Sequence, residues 1–162
     1  MLTPLIEYCG NSQLPGILLL EYASTANIDE ATYEELHDSD YNWIGSINFI
    51  SQGWMKMPLL PSSSKSWNET GNSNRQGSFN DQLIHGIVPN MRPTVSGEFV
   101  KMSNHRFLLR LTDKSNQKWL IGTLDNPLQF TASGAAGSSG DLKNYRVRFS
   151  AATPAKAYGL IS

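Results

Sequence analysis

The sequence predicts a mainly β protein: an antiparallel β-sandwich or barrel-like sheet with one or two short helices. The first observation is the stretch from Arg106 to Ala151, RFLLRLTDKSNQKWLIGTLDNPLQFTASGAAGSSGDLKNYRVRFSA. Apolar and polar residues alternate there in four short runs, and a period of two is the strand signal because successive side chains point to opposite faces of a sheet. The second is the punctuation between the runs, Asp113–Gln117, Asp125-Asn126-Pro127 and a Gly/Ser tract, which suggests an antiparallel meander. The third is composition. Only 17% of the 162 residues are charged, against about 25% in ordinary soluble domains, and Asn, Ser, Thr and Gly fill the difference.

Within the meander, Phe107, Leu109 and Leu111 share one face of the first run. Trp119, Ile121 and Thr123 share a face of the second, with Leu120 and Leu124 opposite. Leu128 and Phe130 mark the third, and Tyr145, Val147 and Phe149 oppose Arg146, Arg148 and Ser150 in the fourth. The tract from Ser133 to Gly140 is the tip of a long hairpin, either slack or an arm that orders on a partner.

Upstream, Met1–Ser12 reads as a tail or a first edge strand, and Leu14–Tyr22 as a buried strand begun by Pro-Gly. Asn27–Asp40 places acids in the first turns of a short helix capped by Asn27 or Asp29; an acidic loop is the alternative. Trp43–Phe49 and Trp54–Leu60 read as two strands joined by Ser51-Gln52-Gly53. Residues 61–78 form the longest polar segment and are expected as a mobile loop, part of which could be an extended arm or strand. Its length and Trp67 both speak against a bare connector. Phe79–Val88 alternates, with Phe79, Leu83 and Ile87 on the face of Asp81 and His85, and Ile84 and Val88 opposite. Thr94–Ser103 fits one or two helical turns with Phe99 and Met102 together, although Gly97 weakens them. Residues 154–162 are expected as a loose C-terminal tail with Tyr158 and Leu160 as anchors. The whole of 1–162 reads as one β domain with mobile loops near 61–78 and 133–141.

At 40% hydrophobic the chain can bury a core without disulfide staples. Cys9 is the only cysteine, which excludes an internal disulfide framework. No basic stretch precedes an apolar run at the N-terminus, so no signal peptide is expected. The apolar run Ile17–Leu20 is far too short to span a membrane. Net charge is −1, so nothing global points to nucleic acid. Its distribution is uneven: residues 1–70 hold nine acids against two bases, net −7, and residues 71–162 eleven bases against five acids, net +6. Either the halves interleave and cancel, or opposite patches meet between neighbouring copies.

No catalytic, cofactor-binding or metal-binding residue is assigned. Gly-x-Ser-x-Gly is missing, and Gly137-Ser138-Ser139-Gly140 has the wrong spacing for a nucleophile elbow. Cys9 reads as a small buried hydrophobe. His37, Asp38 and Asp40 lack a second histidine at metal-ligand spacing. His85 reads as a core or rim histidine, His105 sits at a turn, and the adjacent Glu34 and Glu35 point apart. Neither phosphate-cradling glycine motif occurs. Arg106, Arg110, Arg146 and Arg148 with Trp119 and Tyr145 imitate a single-strand platform, but Tyr145 alternates against Arg146 and Arg148, so bases and rings face opposite ways.

The residues Asp113, Asn116, Trp119, Gly122-Thr123, Pro127-Leu128, Gly140-Asp141, Tyr145 and Phe149, with Trp67–Thr70 and Phe79–Val88 upstream, carry a resemblance to small virion structural proteins encoded by Bacteroidetes phages and prophages. It covers the second half of the chain. It implies a non-enzymatic, self-assembling part of a phage particle, tail-tube-like or head–tail-joining, found in the bacterial cytoplasm and then in the virion. Partners would be further copies in rings and other virion proteins, with no cofactor, no membrane and no sequence-specific nucleic acid. The alternative is a β-sandwich carbohydrate-binding module, with Trp54 and Trp67 as the stacking residues.

Overall fold

The computed structural model of the chain describes residues 16–33, 42–43, 45–60, 65–89, 91–135, 143–154 and 156–160. In chain order these form β1 (Ile17–Ser24), β2 (Asn42–Trp43), β3 (Met55–Lys56), β4 (Ser66–Asn74), β5 (Gly77–Pro89), helix α1 (Pro93–Ser103), β6 (Arg106–Asp113), β7 (Lys118–Ile121), β8 (Leu128–Ala135), β9 (Asn144–Thr153) and β10 (Tyr158–Leu160). The mainly β expectation holds. The strands share one sheet, antiparallel except where β10 lies parallel to β2.

The sheet is built outward from β6. One edge of β6 is paired with β1 from Phe107 to Asp113. On the other edge β7 takes Leu109–Thr112, and β8 takes Arg106 and Phe107. The second and third runs of the meander therefore follow one another along a single edge, with Gly122–Pro127 leaving the sheet between them. There the sheet forks. β7 leads to β10 and β2, while β8 leads to β9, β5 and β4.

The turns carry the chemistry that the sequence announced. The Asp113 carboxylate accepts from the backbone N–H groups of Ser115 and Gln117 at 2.8 and 3.0 Å. Asn116 takes φ 62°, a region that Asn tolerates better than most residues. In the excursion after β7, Thr123 Oγ1 accepts from the N–H of Asn126 at 3.1 Å. Gly122 turns the chain there at φ 89°.

Two apolar layers result, one on each face of β6. Phe107, Leu109 and Leu111 enter the larger core with Leu20, Ile84, Val88, Ile121, Leu128, Phe130, Val147 and Phe149. Phe149 packs edge-on to Phe107 at 5.7 Å and against Phe130 at 5.0 Å. On the opposite face Leu108 and Leu120 pack with Ile28 and Tyr158, covered by Ile47, Phe49, Trp54 and Leu124. The expected split of Trp119 and Ile121 from Leu120 and Leu124 is thus a split between two cores.

The curled sheet closes through the segment after β3. β3 pairs with β1 at Glu21 and Tyr22, and the Met57 N–H then donates to Leu20 O at 2.9 Å. Three residues on, the Leu60 N–H donates to Ile87 O at 2.8 Å, beyond the point where β4 stops at His85. Backbone hydrogen bonds therefore run from β1 across to β5, which makes the sheet barrel-like. A Cβ on Gly86 would stand 2.8 Å from a Leu59 methyl, so glycine lets this closing segment lie close. α1 caps one end. Pro93 opens it where a missing N–H costs nothing, Met102 is buried, and Phe99 packs on Phe130 and Tyr145 at 5.3 and 5.0 Å.

Six sequence expectations need correction. The helix over Asn27–Asp40 is replaced, as far as Tyr33, by two 3-10 turns, Thr25–Asn27 and Glu30–Thr32. Asp29 caps the second by accepting from the Ala31 N–H. Residues 34–41 lie outside the described residues, as do Met1–Pro15 with Cys9. The two strands expected at 43–49 and 54–60 shrink to the two-residue β2 and β3 and a lone bridge between Ile28 and Phe49. Ile47, Phe49 and Trp54 cover the second face of β6, whereas Met57 and Leu59 join the larger core. The loop expected over 61–78 contains β4 and the turn into β5. The helix over 94–103 is longer than two turns. The tail is not loose, because Tyr158 is buried and β10 pairs with β7. In the 133–141 tip, β8 runs on to Ala135, and 136–141 lie outside the described residues.

Two glycines make opposite predictions. A Cβ on Gly122 would come within 2.5 Å of Leu128 Cδ1, whose side chain is fully buried, and the φ is positive. Gly122→Ala is expected to cost about 2 kcal/mol. Gly97 lies within α1 with nothing inside 4 Å, so Gly97→Ala should gain about 0.5–1 kcal/mol. Urea denaturation of both variants checks the pair.

Candidate functional site

β4 and the outer face of the sheet behind it form the most distinctive surface among the described residues. β4 reads Ser-Trp-Asn-Glu-Thr-Gly-Asn-Ser-Asn and pairs with β5 residue for residue, from Ser66–His85 to Asn74–Gly77. It ends the strand order, so its far edge pairs with no strand among the described residues. About half of its nine residues present backbone donors and acceptors there, because successive residues direct theirs to opposite edges. The usual protections of an edge are charged residues, especially lysine, with proline, bulges and brevity; β4 is long, carries neither lysine nor proline, and has Glu69 as its one charge.

The strand is fixed from inside. Trp67 and Glu69 share one face of the strand, opposite Ile84 and Gln82, with Trp67 half-buried and Glu69 exposed. The Trp67 indole N–H donates to Gln82 Oε1 at 2.9 Å, and Gln82 Nε2 donates to the Glu69 carboxylate. The same carboxylate accepts from the Ala157 N–H at 2.8 Å, which ties β4 to the C-terminal segment. Gln82 is only 2% exposed, yet both ends of its amide have partners, as a buried amide requires. Trp67 also packs on Trp119 of β7, ring centroids 5.5 Å apart. β4 is therefore a preformed edge, not a floppy connector.

Outward side chains form rows across four strands. Ser66, His85, Arg148 and Thr131 stand in register, and beside them run Asn68, Leu83, Ser150 and Gln129. Ile87, Arg146 and Ser133 form a third row. Ser66 Oγ lies 2.8 Å from His85 Nε2, and Asn72 Nδ2 donates to Asp81 at 2.7 Å. Arg146 and Arg148 are exposed and have no ion-pair partner among the described residues. This face is polar and basic, with half-buried Leu83 and Ile87 between the charges.

His85 is exposed on this outer face and so is not a core histidine. His105 is exposed at the turn after α1. His37, Asp38, Asp40, Glu34 and Glu35 lie outside the described residues, and among those described no three His, Cys, Asp or Glu side chains gather as a metal site. The arginines separate as expected from Tyr145 and Trp119, which pack inward. Arg110 lies on the far side of the sheet. It is paired in bidentate fashion with Glu21 at 2.7 and 2.9 Å and stacked 4.9 Å from the Trp54 ring. Trp54 is also edge-on to Phe49 at 5.8 Å. Both tryptophans suggested for sugar stacking are thus half-buried and engaged within the fold. Sequence reasoning missed the open edge, for which Trp67 in a polar run was the only local signal.

No family model, no curated protein and no solved structure matches the chain.

The Trp67–Gln82–Glu69 network carries its own test. Gln82→Leu keeps the volume but leaves the indole N–H and the Glu69 carboxylate short of a partner. It should destabilise the fold by about 1–3 kcal/mol, read by urea denaturation, with the tryptophan emission altered at Trp67.

Proposed function

We propose that this chain is a non-enzymatic structural subunit of a phage or prophage particle, a tail-tube or head–tail-joining component that associates with copies of itself. The observation that carries the reading is the edge of the nine-residue β4, which pairs with no strand among the described residues and is fixed by Trp67 and Glu69. An unpaired edge is a template for a strand from another chain. Because β4 is already ordered, a neighbour that docks on it does not have to overcome the roughly 1–2 kcal/mol per residue of backbone ordering that a flexible arm would cost. The basic outer face beside the edge, with Arg146 and Arg148, supplies the side-chain contacts that orient association. The resemblance of the Asp113–Phe149 pattern to virion proteins supports the same role. Assembly would follow synthesis in the host cytoplasm and end in the virion, with other virion proteins as further partners.

The test is self-association. Size exclusion with light scattering should give oligomers that grow with concentration, and negative-stain microscopy should show rings. Asn68→Lys combined with Thr70→Lys places two charges on the exposed side of β4. It is expected to reduce the product to a folded monomer with an unchanged melting temperature. A wild-type chain that stays strictly monomeric at millimolar concentration would remove the proposal.

A further inference from the structure

The outer face of β8, β9, β5 and β4 is not flat. A hollow of about 540 Å³ lies over β8, β9 and β5, and one of about 820 Å³ continues from it towards β4. Leu83 and Arg148 line both, so the two form one groove. Each hollow falls within the 300–1,000 Å³ or so that small-molecule sites span.

The two halves of the groove differ in charge. The first holds Arg146 and Arg148, two residues apart on one face of β9 and so about 7 Å apart along the strand. His85 stands beside Arg148 in register, the Thr131 and Ser133 hydroxyls lie across from the arginines on β8, and no acid lines this half. Neither guanidinium has an ion-pair or hydrogen-bond partner among the described residues. The second half is lined by the amides of Asn68, Asn72 and Gln129 and the hydroxyls of Thr70 and Ser150. Of these, only the Asn72 side chain is engaged within the described residues, through Nδ2 to Thr70 O and to one oxygen of Asp81. Asp81 is the only acid in this half. Arg106 shares the row of Gln129 and Ser150, but its Nη1 donates to His105 O and it lines neither hollow.

We propose that this groove binds a short glycan with one acidic sugar at its end. The acid, a carboxylate or a sulfate, lies between Arg146 and Arg148, and the neutral sugars lie along the second half. Arginine forks meet such oxyanions with paired, charge-assisted hydrogen bonds. Sugar hydroxyls both donate and accept, as do the amides and hydroxyls that line the second half, and Asp81 adds a strong acceptor. A nucleotide base needs an aromatic or apolar surface to stack on, and this half offers no large apolar side chain beyond Leu83. A polyanion carries its charges on past Arg148 and meets Asp81, a like charge. The inference does not rest on assembly, although a subunit contact over the same arginines competes with the glycan.

The test is ligand-observed NMR on the full chain with sialyllactose, sulfated lactose and plain lactose. It is run over a protein dilution series, with light scattering on the same samples. At least one acidic ligand is expected to bind saturably and about tenfold more tightly than lactose, and the better of the two identifies the acid. Arg146→Ala and Arg148→Ala should each weaken it by about fivefold to tenfold and leave lactose unchanged. Gln129→Ala should weaken acidic and neutral sugars alike, by about threefold. Lys143→Ala removes an exposed cation that lines neither hollow and should change nothing. Melting curves confirm that each variant is folded. No saturable binding of either acidic ligand at any protein concentration would overturn the proposal. So would an equal loss in Lys143→Ala, or tighter binding of a heparin hexasaccharide or a DNA duplex, which would mark a surface that selects charge alone.

Discussion

Everything in this fold follows from burying β6 on both faces. A strand with one wet face can alternate apolar and polar residues, but Phe107, Leu108 and Leu109 are consecutive and all almost fully buried. With Leu111 they contribute about 1.5–3 kcal/mol each, an upper estimate of roughly 6–12 kcal/mol. That is comparable to the whole net stability of a domain, about 5–15 kcal/mol. One layer is supplied by the curled sheet itself. The other has to be recruited, and Ile28, Ile47, Phe49, Trp54 and Tyr158 serve that purpose. Arg110 falls on the same side, and its guanidinium is accommodated only because Glu21 meets it on the neighbouring strand and Trp54 lies against it.

This constraint explains which parts of the fold could be read from the sequence. The meander was legible because its side chains divide cleanly between two apolar layers or between core and water: Trp119 and Ile121 against Leu120, Tyr145 and Val147 against Arg146 and Arg148. The stretch from Trp43 to Leu60 was misleading for the same reason. It is as apolar as a pair of strands, but Ile47, Phe49 and Trp54 blanket one face of β6 while Met57 and Leu59 pack on the other, and blanketing needs no period of two. β4 was illegible by hydrophobic pattern because its outer side chains are polar and its inner face is held by an amide–carboxylate–indole network. Such a network depends on Gln82 and Ala157, which are distant in sequence from Glu69, so no local window contains it. The candidate surface was harder still. Being last in a sheet is a property of topology, and no residue type announces it.

The orphaned hydroxyl of Ser24 belongs to the same physical account. Ser24 is paired in register with Phe107, at the start of β6. The fold thus leaves one polar atom buried and unpartnered beside its central strand, while Gln82 on β5 has a partner at each end of its amide.

Symmetry limits what β4 can do alone. Pairing β4 with β4 is self-complementary and stops at two copies, whereas a ring needs β4 to meet a different surface. Among the described residues the other strands that end the sheet, β2 and β3, are two residues long, too short to match nine. Edge pairing therefore cannot hold a ring without side-chain contacts beyond the edge. On the proposed reading, the exposed Arg146 and Arg148, which have no ion-pair partner among the described residues, would supply such contacts on the face beside β4. A contact between that face and a different surface of the next copy is heterologous, and it gives a ring where the rotation closes and an open filament where it does not.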